Sequence, residues 1–209
     1  MWAFSVLFSI LLCTAVSAND DHSTCDDVEI VKRNEWNARP SVRSKPMKLP
    51  IGHVIIEHTV SPPCKTKPQC ARNIQFLQDY HLDYKGWGDI AYNFLIGGDG
   101  RVYEGIGWKN QGTHSINFNS MSVGIAFIGN YMEVTPNQTM IDAAVNLMKC
   151  GVKKGYMTPT YEVHGHRDVS CTLSPGDKLY TIIRTWDNYK GGRLPLYDCS
   201  ESRLTNQNK

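Results

Sequence analysis

The sequence predicts an α/β domain in which a central mixed β-sheet is flanked by three main α-helices. Three observations point there: short β-branched runs recur along the chain, three other stretches carry apolar residues at helical spacing, and a glycine-rich turn folds two of the runs into a hairpin. The runs are His53 to His58, Ala91 to Ile96, Arg101 to Glu104, Ser122 to Ile128 and Tyr161 to His166. Gly97-Gly98-Asp99-Gly100 is the turn between the second and third. In the fourth, Val123, Ile125, Phe127 and Ile128 read as a buried central strand.

The first helix is expected from Gln69 to Tyr84, where Ile74, Leu77, His81 and Tyr84 recur every three or four residues and place His81 on or beside one stripe. Thr135-Pro136 supplies an N-cap and a first-turn proline for a second helix with Ile141, Ala144, Val145, Met148 and Val152 inward, ending near Gly155. Ser174-Pro175 starts a third, with Leu179, Ile182, Ile183 and Trp186 facing the core. No internal repeat or low-complexity linker interrupts the chain, so one domain is expected over residues 31–190, with an N-terminal segment at 19–30 and a C-terminal tail at 191–209 whose end, from Ser200 to Lys209, reads as polar and frayed.

Residues 1–18 carry no charged side chain and end in small residues at Val16 and Ala18, which reads as a secretory signal peptide cleaved after Ala18. The stretch is short for crossing about 30 Å of hydrocarbon, so no membrane anchor is expected. Removal of Cys13 with the leader leaves an even set of six from the seven cysteines, and in a secreted chain that favours disulfides. Cys64 and Cys70 lie six apart across a proline-rich loop, where a local clip is natural; Cys25, Cys150, Cys171 and Cys199 must close longer loops. Asn137-Gln138-Thr139 is an N-glycosylation sequon. A net charge of +2 gives no concentrated basic face and argues against nucleic-acid binding.

Several segments together resemble the peptidoglycan recognition protein family, whose fold is shared with N-acetylmuramoyl-L-alanine amidases of type 2. They are Arg33-Asn34-Glu35-Trp36, Ile55 to Thr59, Gly86 to Gly100, Val102 to Gly105, Gly112-Thr113-His114, Val123 to Asn130 and Gly165 to Tyr180. The match runs from about Val31 to Trp186 and is therefore a whole-domain resemblance. In hydrolytic members two His and one Cys hold zinc while a bound water takes the fourth place, where the metal lowers its pKa. The resemblance puts Glu57, His166 and Ser174 at those three positions, so only His166 matches. A serine hydroxyl is a poor neutral donor beside a thiolate, and the resemblance therefore implies a degenerate metal site, no cofactor and no hydrolysis. His58 cannot replace Glu57, because adjacent strand residues face opposite ways, and His164 stands two residues before the family ligand on the same strand face.

Tyr92 and Thr172 match further active-site positions. The resemblance lines the stem-peptide groove with His58, Thr59, His81, Lys85, Gly86, Trp87, Tyr92, Ile106, His114 and Asn119. Gly86-Trp87 goes with peptidoglycan carrying meso-diaminopimelic acid, yet Gly105-Ile106-Gly107-Trp108 lacks the arginine that would pair with its extra carboxylate, so the two markers disagree. The family pairs Cys64 with Cys70 and Cys25 with Cys150, which leaves Cys171 with Cys199. The implied protein is a secreted innate-immunity receptor that binds bacterial peptidoglycan without hydrolysing it. It would feed immune-cascade proteins of the Toll or prophenoloxidase type, or act directly on bacteria. The rivals are a zinc-dependent amidase with an altered metal shell and a regulator that works through protein contacts alone.

Overall fold

The computed structural model describes Cys25, residues 27–197 and Cys199. The leader expected at residues 1–18 and the end of the tail from residue 200 lie outside the described residues. Six strands form one sheet: β1 (Ile30–Val31), β2 (Ile51–His58), β3 (Phe94–Ile96), β4 (Val102–Glu104), β5 (Ser122–Phe127) and β6 (Met157–Gly165). Their order is β1-β4-β3-β5-β2-β6. Strands β3, β5, β2 and β6 run parallel, the hairpin partner β4 runs against them, and β1 pairs with β4 in parallel, so the sheet is mixed. The expected domain boundary at residue 31 falls inside β1, whose two residues cover the exposed edge of the hairpin.

Alternation along the strands divides the core. Val54 and Ile56 of β2, Phe94 and Ile96 of β3, and Val123, Ile125 and Phe127 of β5 pack on one face against helices α2 (Gln138–Lys153) and α4 (Asp177–Ile183). On the other face Leu95, Tyr103, Ala126 and Ile128 meet Ile74 and Leu77 of helix α1 (Lys67–Asp79) and the buried Trp36. Helix α1 covers only part of that second face, and β2 and β5 end beyond it at His58 and Phe127; ligands of open α/β sheets settle outside such carboxyl ends.

Several boundaries differ from the sequence reading. Helix α1 begins at Lys67, after Thr66, with Pro68 in its first turn, and passes into a π-helical turn at Tyr80–Tyr84. The wider turn keeps His81 buried but rolls Tyr84 off the stripe, where it stacks on Tyr80 at 5.1 Å and stays exposed. The N-cap of α2 is Asn137 rather than Thr135: its Oδ1 accepts from the Met140 N–H at 2.9 Å, and its Nδ2 donates to the Gly98 carbonyl of the hairpin turn. Helix α4 starts at Asp177, since Gly176 with φ 91° is its cap and cannot be a helical residue; Leu179 and Ile183 are buried while Ile182 and Trp186 are half-buried. Strand β6 begins earlier than expected, at Met157, and ends at Gly165. His166 therefore opens the short helix α3 (His166–Val169) instead of continuing the strand face of His164.

The disulfides are Cys25–Cys150, Cys64–Cys70 and Cys171–Cys199. Among the described residues no helix is long and apolar enough to cross a membrane.

Candidate functional site

The cleft floor is built around Glu57, the seventh residue of β2. Alternation turns its side chain to the open face, and it is almost wholly buried. Its Oε1 lies 2.7 Å from His114 Nδ1 and its Oε2 lies 3.3 Å from His166 Nδ1, so one carboxylate sits between two imidazoles. The approach to His114 is close but off the axis of a ring N–H, and the His114 Nε2 has no protein partner. His114 can lie flat over β5 only because positions 112 and 124 are glycine: a Cβ at Gly124 would come within 2.6 Å of the ring, and one at Gly112 within 2.4 Å. Burial holds the His166 pKa below the usual histidine value, with Glu57 opposing.

His58 points the other way, as expected. Its Nδ1 accepts from the Tyr131 N–H at 3.2 Å, and burial, with His166 and Arg167 adding, pushes its pKa down to about 4. The His58 N–H donates to Ser174 Oγ at 3.2 Å, which fixes the 171–176 loop against the end of β2. Thr172 Oγ1 accepts from the Ser174 N–H, and the Ser174 carbonyl accepts from the Arg167 N–H. Thr59 spends its hydroxyl on the Gly129 N–H and Ser61.

The cleft wall is aromatic. His81 stacks on Trp87 with ring centroids 4.8 Å apart and meets the edge of Tyr92 at 5.8 Å. Because His81 Nδ1 accepts from the Ala91 N–H, the ring proton sits on Nε2. Burial, and secondarily Lys85, lowers the His81 pKa to about 4, while burial and Glu57 raise that of the Tyr92 hydroxyl. Lys85 directs its ammonium over Tyr80 and Tyr84, at 5.6 and 5.8 Å, rather than toward Glu57.

Trp87 also lines a neighbouring cavity of about 370 Å³ with Gly86, Ile106, Asn119, Arg43 and Gln111. The structure thus brings Glu57, His81, Tyr92, His114 and His166 together at the floor, with the His58 side chain on the opposite face of the sheet, and Gly86, Trp87, Ile106 and Asn119 in the adjoining cavity. Asn119 closes the second group by accepting from the His114 and Ser115 N–H groups. Arg43 was missed by the sequence reading because it sits in an irregular loop without pattern; its guanidinium donates to the Gly86 carbonyl at 2.8 Å. Asn93 was missed too. Buried, it donates to the Gly107 and Asn110 carbonyls and accepts from the Gly124 N–H, tying the loop after β4 and strand β5 to one side chain.

The His81 pKa sets a pH dependence. In the unfolded chain the ring takes up its proton near pH 6.5, but in the folded state only near 4, so between those values the unfolded state binds more protons and stability falls as pH falls. We expect the native protein to lose roughly 2–3 kcal/mol more than His81→Phe between pH 7 and pH 4. Parallel urea titrations at the two pH values measure the difference; equal losses would show that His81 does not titrate in this window.

A family model described as N-acetylmuramoyl-L-alanine amidase matches residues 47–177. Peptidoglycan recognition protein 1 of Bos indicus is 48% identical over 162 residues, covering 77% of this chain and 85% of the relative. Among solved structures, Apis mellifera PGRP-SA superposes with a TM-score of 0.77 at 43% identity, covering 78% of this chain and 99% of that one. Peptidoglycan recognition protein LE, solved in complex with tracheal cytotoxin, a monomeric diaminopimelic acid-type peptidoglycan, gives 0.77 at 37% identity over 78% and 96% of the two chains. The chain belongs to the peptidoglycan recognition protein family, built on the N-acetylmuramoyl-L-alanine amidase fold.

Proposed function

We propose that this protein is a secreted pattern-recognition protein of innate immunity that binds the stem peptide of bacterial peptidoglycan and does not cleave it. Peptidoglycan binding rests on the family and on a relative of the same fold solved in complex with a monomeric peptidoglycan fragment. The absence of cleavage rests on one observation: a carboxylate, Glu57, and a hydroxyl, Ser174, stand beside His166 where the ion needs an imidazole and a thiolate. Hydrolysis in this fold needs zinc on two imidazoles and a thiolate. Glu57, His166 and Ser174 do not fit that ion, because position 57 offers a carboxylate in place of an imidazole and the third position offers a neutral hydroxyl already accepting from the His58 N–H.

In this reading His58, Thr59, His81, Lys85, Gly86, Trp87, Tyr92, Ile106, His114 and Asn119 form the ligand groove. Tyr92 and the His81 Nε2–H donate to stem-peptide carbonyls, and Trp87 offers an apolar face beside the third residue. Bound muropeptide is then presented to serine-protease cascade proteins of the Toll or prophenoloxidase type. The test combines a pull-down on insoluble peptidoglycan with an assay for released stem peptide. Retention without release supports the proposal; zinc-dependent release abolished by chelator would make the protein an amidase, and no retention would make it a regulator acting through protein contacts.

Diaminopimelate differs from lysine at the third peptide position by one carboxylate. With Ile106 in the cavity, the cations that line it are Lys45 and Arg43, which already donates to the Gly86 carbonyl, so only a modest preference for the diaminopimelate type is expected. Ile106→Arg should tighten that type selectively, by about 1.5–3 kcal/mol if charge-assisted hydrogen bonds form fully. Calorimetry with matched muropeptides decides, and an equal gain for both types would place residue 106 away from the third peptide residue.

A further inference from the structure

We infer that this protein carries a second, independent metal site, for a zinc-type divalent ion, on the outer part of the sheet at His53, Glu162 and His164. His53 lies on β2, and Glu162 and His164 lie on the neighbouring parallel strand β6; His53 is the register partner of Glu162, and Ile55 that of His164. Pairing partners and residues two apart share a strand face, so all three side chains emerge on the same side. Their potential ligand atoms lie within 4.8 Å of one another.

The geometry is that of three corners of a tetrahedron. His53 Nδ1 is 3.1 Å from His164 Nε2, and the same Glu162 Oε2 lies 3.6 Å from the first nitrogen and 3.7 Å from the second. Zinc bonds of about 2.0–2.1 Å at tetrahedral angles put donor atoms about 3.3–3.4 Å apart. The observed edges bracket that value. Protein hydrogen bonding leaves the triangle incomplete: one proton can serve the two ring nitrogens, but the carboxylate oxygen is too far for a hydrogen bond to either.

The ring orientation is set from outside. His164 is fully buried, and its Nδ1 lies 2.7 Å from the Lys190 carbonyl oxygen. That carbonyl can only accept, so the ring proton sits on Nδ1 and the Nε2 lone pair points into the triangle, as an outer-shell carbonyl does for metal-bound histidine. His53 and Glu162 are partly exposed, which leaves an entry path and a fourth position for water. Two imidazoles and a carboxylate suit zinc better than the harder magnesium or calcium. A bound ion would clamp edge strand β6, and through Lys190 the segment after α4, onto β2.

This site is separate from the cleft. Glu57 stands four residues further along β2, about 13 Å at strand rise, and between them Ile55 is buried against Phe118 and Val169. The ion proposed here therefore bears on stability and not on amide cleavage.

The test is zinc titration of the untagged native protein by calorimetry, with Co²⁺ absorption reporting coordination number. One equivalent is expected, with a melting temperature raised by about 5–10 °C when zinc is a hundredfold above Kd. Loss of an outer-shell partner alone weakens metal sites 10–100-fold, so His53→Gln should weaken binding by at least about a hundredfold. His53 is half-exposed, and comparing melting in chelator separates lost metal from lost fold. Zinc-induced shifts in the histidine ring resonances should centre on His53 and His164. No uptake by the native protein, uptake that survives His53→Gln, or ring shifts centred on His114 and His166 would each overturn the site.

Discussion

Changing Glu57→His and Ser174→Cys together is expected to create a stoichiometric zinc site in the cleft, tightening zinc there by at least about a thousandfold, or about 4 kcal/mol. The native floor withholds both things the ion needs. Glu57 stands beside His114 and His166 as a carboxylate where the ion needs an imidazole, and Ser174, although held against the end of β2 by the His58 N–H, offers a hydroxyl. The paired change supplies an imidazole and a thiolate beside His166, whose ring already faces position 57, and frees His166 from its carboxylate partner. Either change alone leaves two strong donors at most and should gain far less. Calorimetry in a His53→Gln background isolates the cleft; a double variant that takes up no more zinc than its parent would show that residues 57, 166 and 174 do not converge on one point.

The largest loss of stability is expected from Arg33→Met. The Arg33 guanidinium lies 2.9 Å from the buried Asp89 and also donates to the Gly105 and Arg39 carbonyls. Asp89 further accepts from Ser41, Gln78 and the Ile90 N–H. Removing the cation leaves a carboxylate buried among neutral donors, a change that costs about 3 kcal/mol, at the low end for buried pairs because Arg33 is partly exposed. Urea titration measures it, and the companion Arg33→Met/Asp89→Leu variant should recover part of the loss. The same network anchors the loop that presents Trp87, so muropeptide binding should weaken in parallel. A loss below about 1 kcal/mol would mean that water replaces the guanidinium.

The cleft itself was partly legible. Long motifs around Glu57, Trp87, His114 and His166 carry the family, and the resemblance implies ten groove residues along the chain. What motifs do not state is how side chains share partners. The resemblance implies Lys85 in the groove, but it does not state that two tyrosine rings, at i−5 and i−1, lie under its ammonium. Arg43 has no pattern around it, and Asn93, although inside the Gly86 to Gly100 motif, acquires meaning only when distant backbone groups arrive beside it. Helix starts shifted for a related reason: Thr135 and Ser174 are acceptable caps in sequence, but Asn137 has a partner in the Gly98 carbonyl and Gly176 alone can take the φ required.

The sequence by itself determined the mixed α/β sheet and the three main helices, because periods of two and of 3.6 follow from local backbone geometry and are written in the order of apolar residues. It also determined that position 57 carries a carboxylate and position 174 a hydroxyl. Only the tertiary structure decided that this carboxylate lies between His114 and His166, that Arg33 meets Asp89, and that His53 meets Glu162 and His164 across 109 and 111 residues of chain. Such meetings depend on strand order and register, and these are set by how whole elements bury their faces against one another, a property that no local stretch of sequence contains.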